Sequence, residues 1–278
     1  YFHDSIGDFR EAERRIITMK KLIAMGLTVI MTAVAVCGCG SSDSGNDAKK
    51  SDNQTKQQAV KVIDVDLTSE EYAFGVDKNK PELLTQVNDF IKEIKDNGTF
   101  DEICNKYFGG GNPTPVKSEK LDTSKDQLLV ATNASFEPFE YMKGDSYYGI
   151  DMEIAAALAK KLNKELVIQN MEFDSVCLSV GQHKSDIAMT GLTIKEDRKK
   201  YVNFTDSYYN AAQRLIVKGD STEFDNCKDK AAIEKILKTK DKSVTIGVQN
   251  GTTGQFYCEG DKSWGFEGYK VTTTGYKN

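Results

Sequence analysis

The sequence is poor in the residues and motifs on which most enzyme chemistry depends. It has two histidines in 278 residues. His3 lies in a leader, and His183 ends a lysine-flanked helix where it reads as a solvated side chain rather than a base or ligand. No GxSxG and no HExxH is present, so serine hydrolases and zinc proteases have no signature here. Neither GxxxxGK[ST] nor GxGxxG occurs, which removes the usual nucleotide and dinucleotide cradles. The six cysteines form no CxxC and no Cys/His spacing, so no metal or cofactor is expected. Carboxylates are plentiful, but no pair stands out at a strand end. The net charge is -5, and the lysines are interspersed with carboxylates. Without a basic face, nucleic acid is not an expected partner.

No apolar run is long enough to span a bilayer comfortably, but a shorter one is informative. "MKKLIAMGLTVIMTAVAVCGCG" starts at Met19 and carries an apolar run from Leu22 to Val36, the layout of a secretory signal. Its end, "VCGC", resembles the lipobox of bacterial lipoproteins, and Cys39, preceded by a glycine, is the expected acylated residue. Residues 1–18 precede that methionine without targeting logic, and residues 1–39 together form the leader and lipoprotein signal. The polar tract 40–60 cannot bury a core and reads as a flexible tether. The expected location is extracytoplasmic, anchored to the bacterial cell membrane by lipid. Export permits a disulfide, and Cys227 with Cys258 is the pair to test; free buried thiols are the equal alternative.

Two folded blocks follow. Residues 61–108 offer strands at Val62–Val65 and near Tyr72–Val76. A helix then opens at Pro81, and a shorter one carries Phe100, Ile103, Tyr107 and Phe108. So short a block cannot stand alone and must pack on something else. After a linker, 109–126, strand and helix patterns alternate from Gln127 to the end. This is the signature of a doubly wound α/β sheet, whose ligands collect at the carboxyl ends of strands.

Three loops occupy such ends. "NASFEPFEYM" offers Phe136, Phe139 and Tyr141 as stacking walls, or equally as residues that pack the loop down. "TGLTIKEDRKK" offers the Thr193 hydroxyl, open main-chain N–H groups and the Arg198 guanidinium, a set suited to a carboxylate; taken alone, the loop reads more simply with Arg198 as one more charge on a solvated Lys/Arg face. "VQNGTTGQF" makes a main-chain anion nest.

The segments "VATNASFEPFEYMKGDSYYGIDMEIAAALAKKL", "MEFDSV", "DIAMTGLTIKEDRKKYVNFTDSYY" and "IGVQNGTTGQFY" closely resemble the family 3 solute-binding proteins of bacterial amino-acid ABC importers. The resemblance implies a two-lobed periplasmic-binding-protein-like fold, with lobe one at 127–212 and a partial lobe two at 213–278. It implies a non-enzymatic, monomeric receptor that captures a polar amino acid and presents it to an importer permease. Phe136 and Phe173 would flank the ligand side chain. Thr193, Arg198 and main-chain groups at Gly191 would hold the α-carboxylate. Thr252 and Thr253 would add main-chain donors, and Gln249 would reach the side chain. "DLTSEEYAFGVDKNKPELLTQVNDFIKEIKDNGTFDEICNKYFGG" resembles the end of the same family, so the domain is expected to be circularly permuted, or else to carry the remnant of a duplicated neighbour. A helix, strand and helix of lobe two are missing from the sequence given, including the aspartate that pairs the ligand's α-ammonium. Two alternatives follow: a rearranged fragment that binds nothing, or an enzyme of the cyclohexadienyl dehydratase type.

Overall fold

The computed structural model describes residues 60–277; Cys39, the signal and nearly all of the tether lie outside the described residues. Residues 62–217 and 221–277 form one compact unit, and residues 60–61 and 218–220 fall outside it. In chain order the elements begin with strands β1 (Val60–Val62), β2 (Glu70–Tyr72) and β3 (Gly75–Asp77), then helices α1 (Pro81–Asp96) and α2 (Thr99–Phe108). They continue with β4 (Gln127–Thr132), β5 (Ser135–Phe136), β6 (Glu140–Lys143), β7 (Ser146–Tyr148), α3 (Ile150–Lys161), β8 (Glu165–Asn170), α4 (Phe173–Gly181) and β9 (Ile187–Ala188). The remainder is β10 (Val202–Phe204), β11 (Tyr209–Ala211), β12 (Ile216–Lys218), α5 (Lys230–Leu237), β13 (Thr245–Gln249), α6 (Thr253–Glu259) and β14 (Thr272–Tyr276).

The central sheet has five strands in the order β10-β3-β9-β4-β8. β8, β4 and β9 are parallel, as alternating strand and helix dictates, but β3 is antiparallel to both neighbours. The sheet is therefore mixed rather than wholly doubly wound. The reason is that one inner strand comes from the short block that precedes the alternating part in sequence. Val76 of β3 is fully buried and pairs with Ile187. The front block thus contributes an interior strand to the main sheet.

Side-chain periodicity divides the core between the two faces. Leu128 and Val130 of β4 point to one face, where Val87, Ile91 and Ile94 of α1, Ile103 of α2 and Ile154 and Leu158 of α3 cover them. Ala131 points to the other, under Val176, Cys177 and Val180 of α4. In α1 the buried positions Leu83, Val87, Phe90, Ile91 and Ile94 fall on one helical stripe, with Pro81 in its first turn. Each fully buried aliphatic side chain stabilises by roughly 1.5–3 kcal/mol. Phe100 packs at the edge of this cluster, while Phe108 is 42% exposed and stacks on Tyr209.

A second, smaller core gathers Ile63, Leu67, Phe224, Ile233, Leu237 and Tyr257 beside the parallel pair β13–β14. Two antiparallel crossings lead between the cores. β2 pairs with β11, and the pairing continues through Leu67 N–H to the Gln213 carbonyl at 2.9 Å and Ile63 N–H to the Leu215 carbonyl at 2.8 Å.

The structure adds detail at three places. The linker 109–126 is packed down at its middle: Val116 is buried and exchanges main-chain hydrogen bonds with Tyr147 at 2.8 and 3.0 Å, and Glu119 N–H bonds the Leu166 carbonyl. The aromatic loop after β4 is a three-stranded meander, β5-β6-β7. Of the two alternatives for Cys227 and Cys258 the structure has free thiols, as at Cys104 and Cys177, with Cys227 packed against the smaller core.

Candidate functional site

Because β4 and β9 are parallel neighbours, their carboxyl ends bring residues 133–136 and 190–198 to one edge of the sheet. The loop after β13 meets them there. Arg198 begins a short 3-10 turn and is 9% exposed. Its Nη1 donates to the Thr193 carbonyl at 2.7 Å and its Nη2 to the Gly251 carbonyl at 2.9 Å. The Phe173 ring lies under the guanidinium at 5.2 Å. Burial lowers the affinity of this guanidinium for its proton. Arg198 forms no ion pair with a carboxylate among the described residues, so a buried cation is here satisfied by neutral carbonyls.

Thr193 pairs with Tyr72 as a bridge flanked by Ala73 N–H to the Leu192 carbonyl and Ile194 N–H to the Glu71 carbonyl. In such a non-hydrogen-bonded pair both main-chain groups of Thr193 face away from Tyr72. Its carbonyl meets Arg198, so its N–H points to the same side as the guanidinium. The Thr193 hydroxyl donates to Glu70 Oε2 at 2.7 Å, and the Thr253 hydroxyl lies 3.4 Å from it. Glu70, at the start of β2, is 3% exposed and also accepts from Thr68 Oγ1 at 2.6 Å.

The other expected residues are placed as follows. Gly191 has φ +51°, and an added Cβ would lie 3.0 Å from Cε1 of Phe136, so the loop needs glycine at this point. Its N–H is committed to Asp151 Oδ2 at 2.8 Å, not open to a ligand. Phe136 is 39% exposed and stacks on Phe139 at 5.5 Å. Phe173 faces Arg198 rather than an aromatic partner. Thr252 caps α6, accepting from Gln255 N–H at 3.4 Å and donating to the Gln249 carbonyl at 2.8 Å. Thr253 is 2% exposed. Gln249 Nε2 donates to Asn133 Oδ1 at 2.9 Å. Thr193, Arg198, Phe173, Gly251 and Thr253 thus form one cluster, with Phe136 and Gly191 beside it. His183, in the turn after α4, is half-exposed, with its Nδ1 held 2.9 Å from the Asp77 carboxylate.

Two groups were missed in the sequence. Glu70 sat in the front block, where nothing along the chain placed it beside Thr193. Asp151 read as a polar position of an amphipathic helix, yet it is fully buried. It accepts from Gly191 N–H and from Tyr208 Oη at 2.7 Å. Burial raises its carboxyl from 3.8 to about 7, and pushes the adjoining Glu140 well above the usual carboxylate range. Lys195 is also buried. It bridges Asp197 and Asp261 at 2.7 Å each and lies 4.4 Å from the Phe256 ring.

The chain is similar in sequence to known proteins. The arginine-binding extracellular protein ArtP of Bacillus subtilis (strain 168) is 36% identical over 131 residues, 47% of this chain and 47% of its own. An arginine-binding periplasmic protein of Mannheimia haemolytica is 34% identical over 142 residues, 50% of this chain and 52% of its own. The chain therefore spans about half the length of the curated relatives it matches. A crystal structure of the substrate binding protein of an amino acid ABC transporter aligns with a TM-score of 0.44 at 32% identity, covering 54% of this chain and 61% of that one. The family profile described as bacterial extracellular solute-binding proteins, family 3, matches residues 10–110 and 128–256, both blocks of the chain, and the chain belongs to that family.

Proposed function

We propose that this protein is an extracytoplasmic receptor that captures a polar amino acid and delivers it to an ABC importer permease, with no bond chemistry of its own. The observation that carries this reading is Arg198. A guanidinium nine-tenths buried, with two carbonyls as acceptors and no carboxylate, is a site prepared for an anionic group. The Thr193 N–H on the same side adds a second kind of donor. Phe136 and Phe173 border the loops from which the ligand side chain would be enclosed, and Gln249 approaches through its contact with Asn133. The relatives named for arginine make a basic amino acid the first ligand to test.

The same reading includes lipid anchoring at Cys39 and a circularly permuted domain in which 61–108 completes lobe one at 127–212. Residues 213–278 then supply the part of lobe two present here. The antiparallel β3 inside the sheet supports the permutation, since this strand precedes in sequence the strands it joins in space.

The test is a thermal-shift screen of residues 40–278 against the twenty amino acids. Stabilisation by one class that vanishes in Arg198→Ala is the expected result; no stabilisation by any would reject the receptor reading.

A further inference from the structure

Glu70 presents the opposite problem to Arg198. It is a buried carboxylate, and its partners are two hydroxyls, those of Thr68 and Thr193, rather than a cation. No ion pair to Glu70 forms among the described residues. Arg198 is close enough to be influenced by its charge, but points its bonded donors at carbonyls. The cluster therefore holds a buried cation and a buried carboxylate that do not bond each other. Two charges removed from water and bonded only to neutral groups are costly, and a zwitterion of matching spacing would relieve both.

The hydroxyl chemistry adds direction. A carboxylate only accepts, so the bond between Glu70 Oε2 and Thr193 Oγ1 must use the threonine proton. The hydroxyl then has nothing left to donate, and its oxygen is an acceptor, as the approach of Thr253 Oγ1 at 3.4 Å reflects. Thr193 is therefore two-sided. Its main-chain N–H, beside Arg198, suits an anion, and its side-chain oxygen, beside Glu70, suits a cation.

We propose that Glu70 is the anionic half of the binding site, taking a cationic nitrogen of the ligand together with Thr193 Oγ1 while Arg198 takes the carboxylate. This rests on the amino-acid receptor reading and narrows it to ligands that carry a protonated nitrogen within reach of their carboxylate. The nitrogen is an ammonium or a guanidinium, and it belongs either to the α-position or to a basic side chain.

Glu70→Gln separates charge from shape, because the amide can still bond Thr68 and Thr193. Calorimetric titration of wild type and Glu70→Gln with L-arginine, L-citrulline and δ-guanidinovalerate tests the proposal. Affinity of the variant for L-arginine should fall by at least about tenfold, while its ligand-free melting temperature stays near that of wild type. An equal loss for L-citrulline assigns the α-ammonium; a loss confined to L-arginine assigns the side-chain guanidinium. Unchanged binding of L-arginine by the variant overturns the role of Glu70 and leaves the receptor reading standing. A wild-type protein that binds neither L-arginine nor L-citrulline overturns the receptor reading for this ligand class and the role of Glu70 with it. Should the variant fail to fold, wild type alone decides. Equal affinity for all three compounds means that no ligand cation is recognised, and the proposal falls; weaker binding of either analogue upholds it.

Discussion

Arg198 Nη2 donates to the Gly251 carbonyl at 2.9 Å, a bond that joins the loop after β9 to the loop after β13. The guanidinium thereby ties these two loops together. A carboxylate arriving in the cleft would compete with these carbonyls, exchanging neutral acceptors for a charged one, and charge-assisted bonds are roughly twice as strong.

Arg198→Lys is therefore expected to behave much like Arg198→Ala. A lysine ammonium is a point charge and cannot reach the Thr193 and Gly251 carbonyls as a planar fork does. At a ligand concentration of a hundred times the dissociation constant, wild type should gain about 2.7 kcal/mol, seen as a rise in melting temperature of several degrees. Both variants should show almost none of it. Full stabilisation of the lysine variant would mean that charge alone suffices.

Lys195 is 2% exposed at its side chain and shares its ammonium between Asp197 and Asp261. Asp261 belongs to the smaller core's loops and Asp197 to the loop of Arg198 itself. Asp261→Asn leaves a buried ammonium with one carboxylate and should cost roughly 1–3 kcal/mol in urea unfolding. Lys195→Met removes the charge but keeps the stem's packing over Phe256, and should cost less. The reverse order would show that the ion pair is not what holds this contact.

How much of this was legible in the chain depends on how local each signal was. β4, α3, β8 and α4 follow from period-2 and period-3.6 patterns over short windows, and their order gave the parallel part of the sheet. Arg198 and Thr193 could be named because a strand end, a loop and a guanidinium lie within about ten residues and that segment resembles a known family's; the spacing alone left Arg198 as a solvated charge. The antiparallel insertion of β3 could not be read that way, since a three-residue strand carries no direction until its partners are known. Glu70 was hidden for the same reason: it meets Thr193 across 123 positions of sequence. Asp151 was not singled out, because helical periodicity reports one buried face and α3 is buried on nearly every side. β14 went unread because its threonine- and glycine-rich sequence has little apolar alternation, and it exists by pairing with β13.

Ile103 decides how the front block relates to the rest. It is 5% exposed in the same cluster as Leu128 and Val130, although α2 precedes β4 by a segment without helix or strand. Ile103→Ala should cost about 2–5 kcal/mol and lower a single unfolding transition. A block that folded by itself would instead give two transitions, only one of them shifted. Removing residues 61–108 altogether would strip β3 from between β9 and β10, and should leave the remainder unable to fold cooperatively.

Asp151 gives the stability of the domain an unusual pH dependence. Its carboxyl titrates near 7 when folded but close to 3.8 in the unfolded chain, so between these values the folded protein holds a proton that the unfolded chain has released. Stability from this group is complete below pH ~4 and is lost as pH rises to about 7, with Glu140 acting in the same direction. The full swing is of order a few kcal/mol. Carboxylates lowered by surface hydrogen bonds, such as Asp122 and Asp241, act with the opposite sign but only below their ordinary range. Urea midpoints measured from pH 4.5 to 7.5 should therefore fall with rising pH, and Asp151→Asn should flatten the curve. Asparagine can still accept from Gly191 N–H, so the variant keeps the bend of the binding loop while losing the proton. A profile of the same slope in the variant would move the titration to other groups.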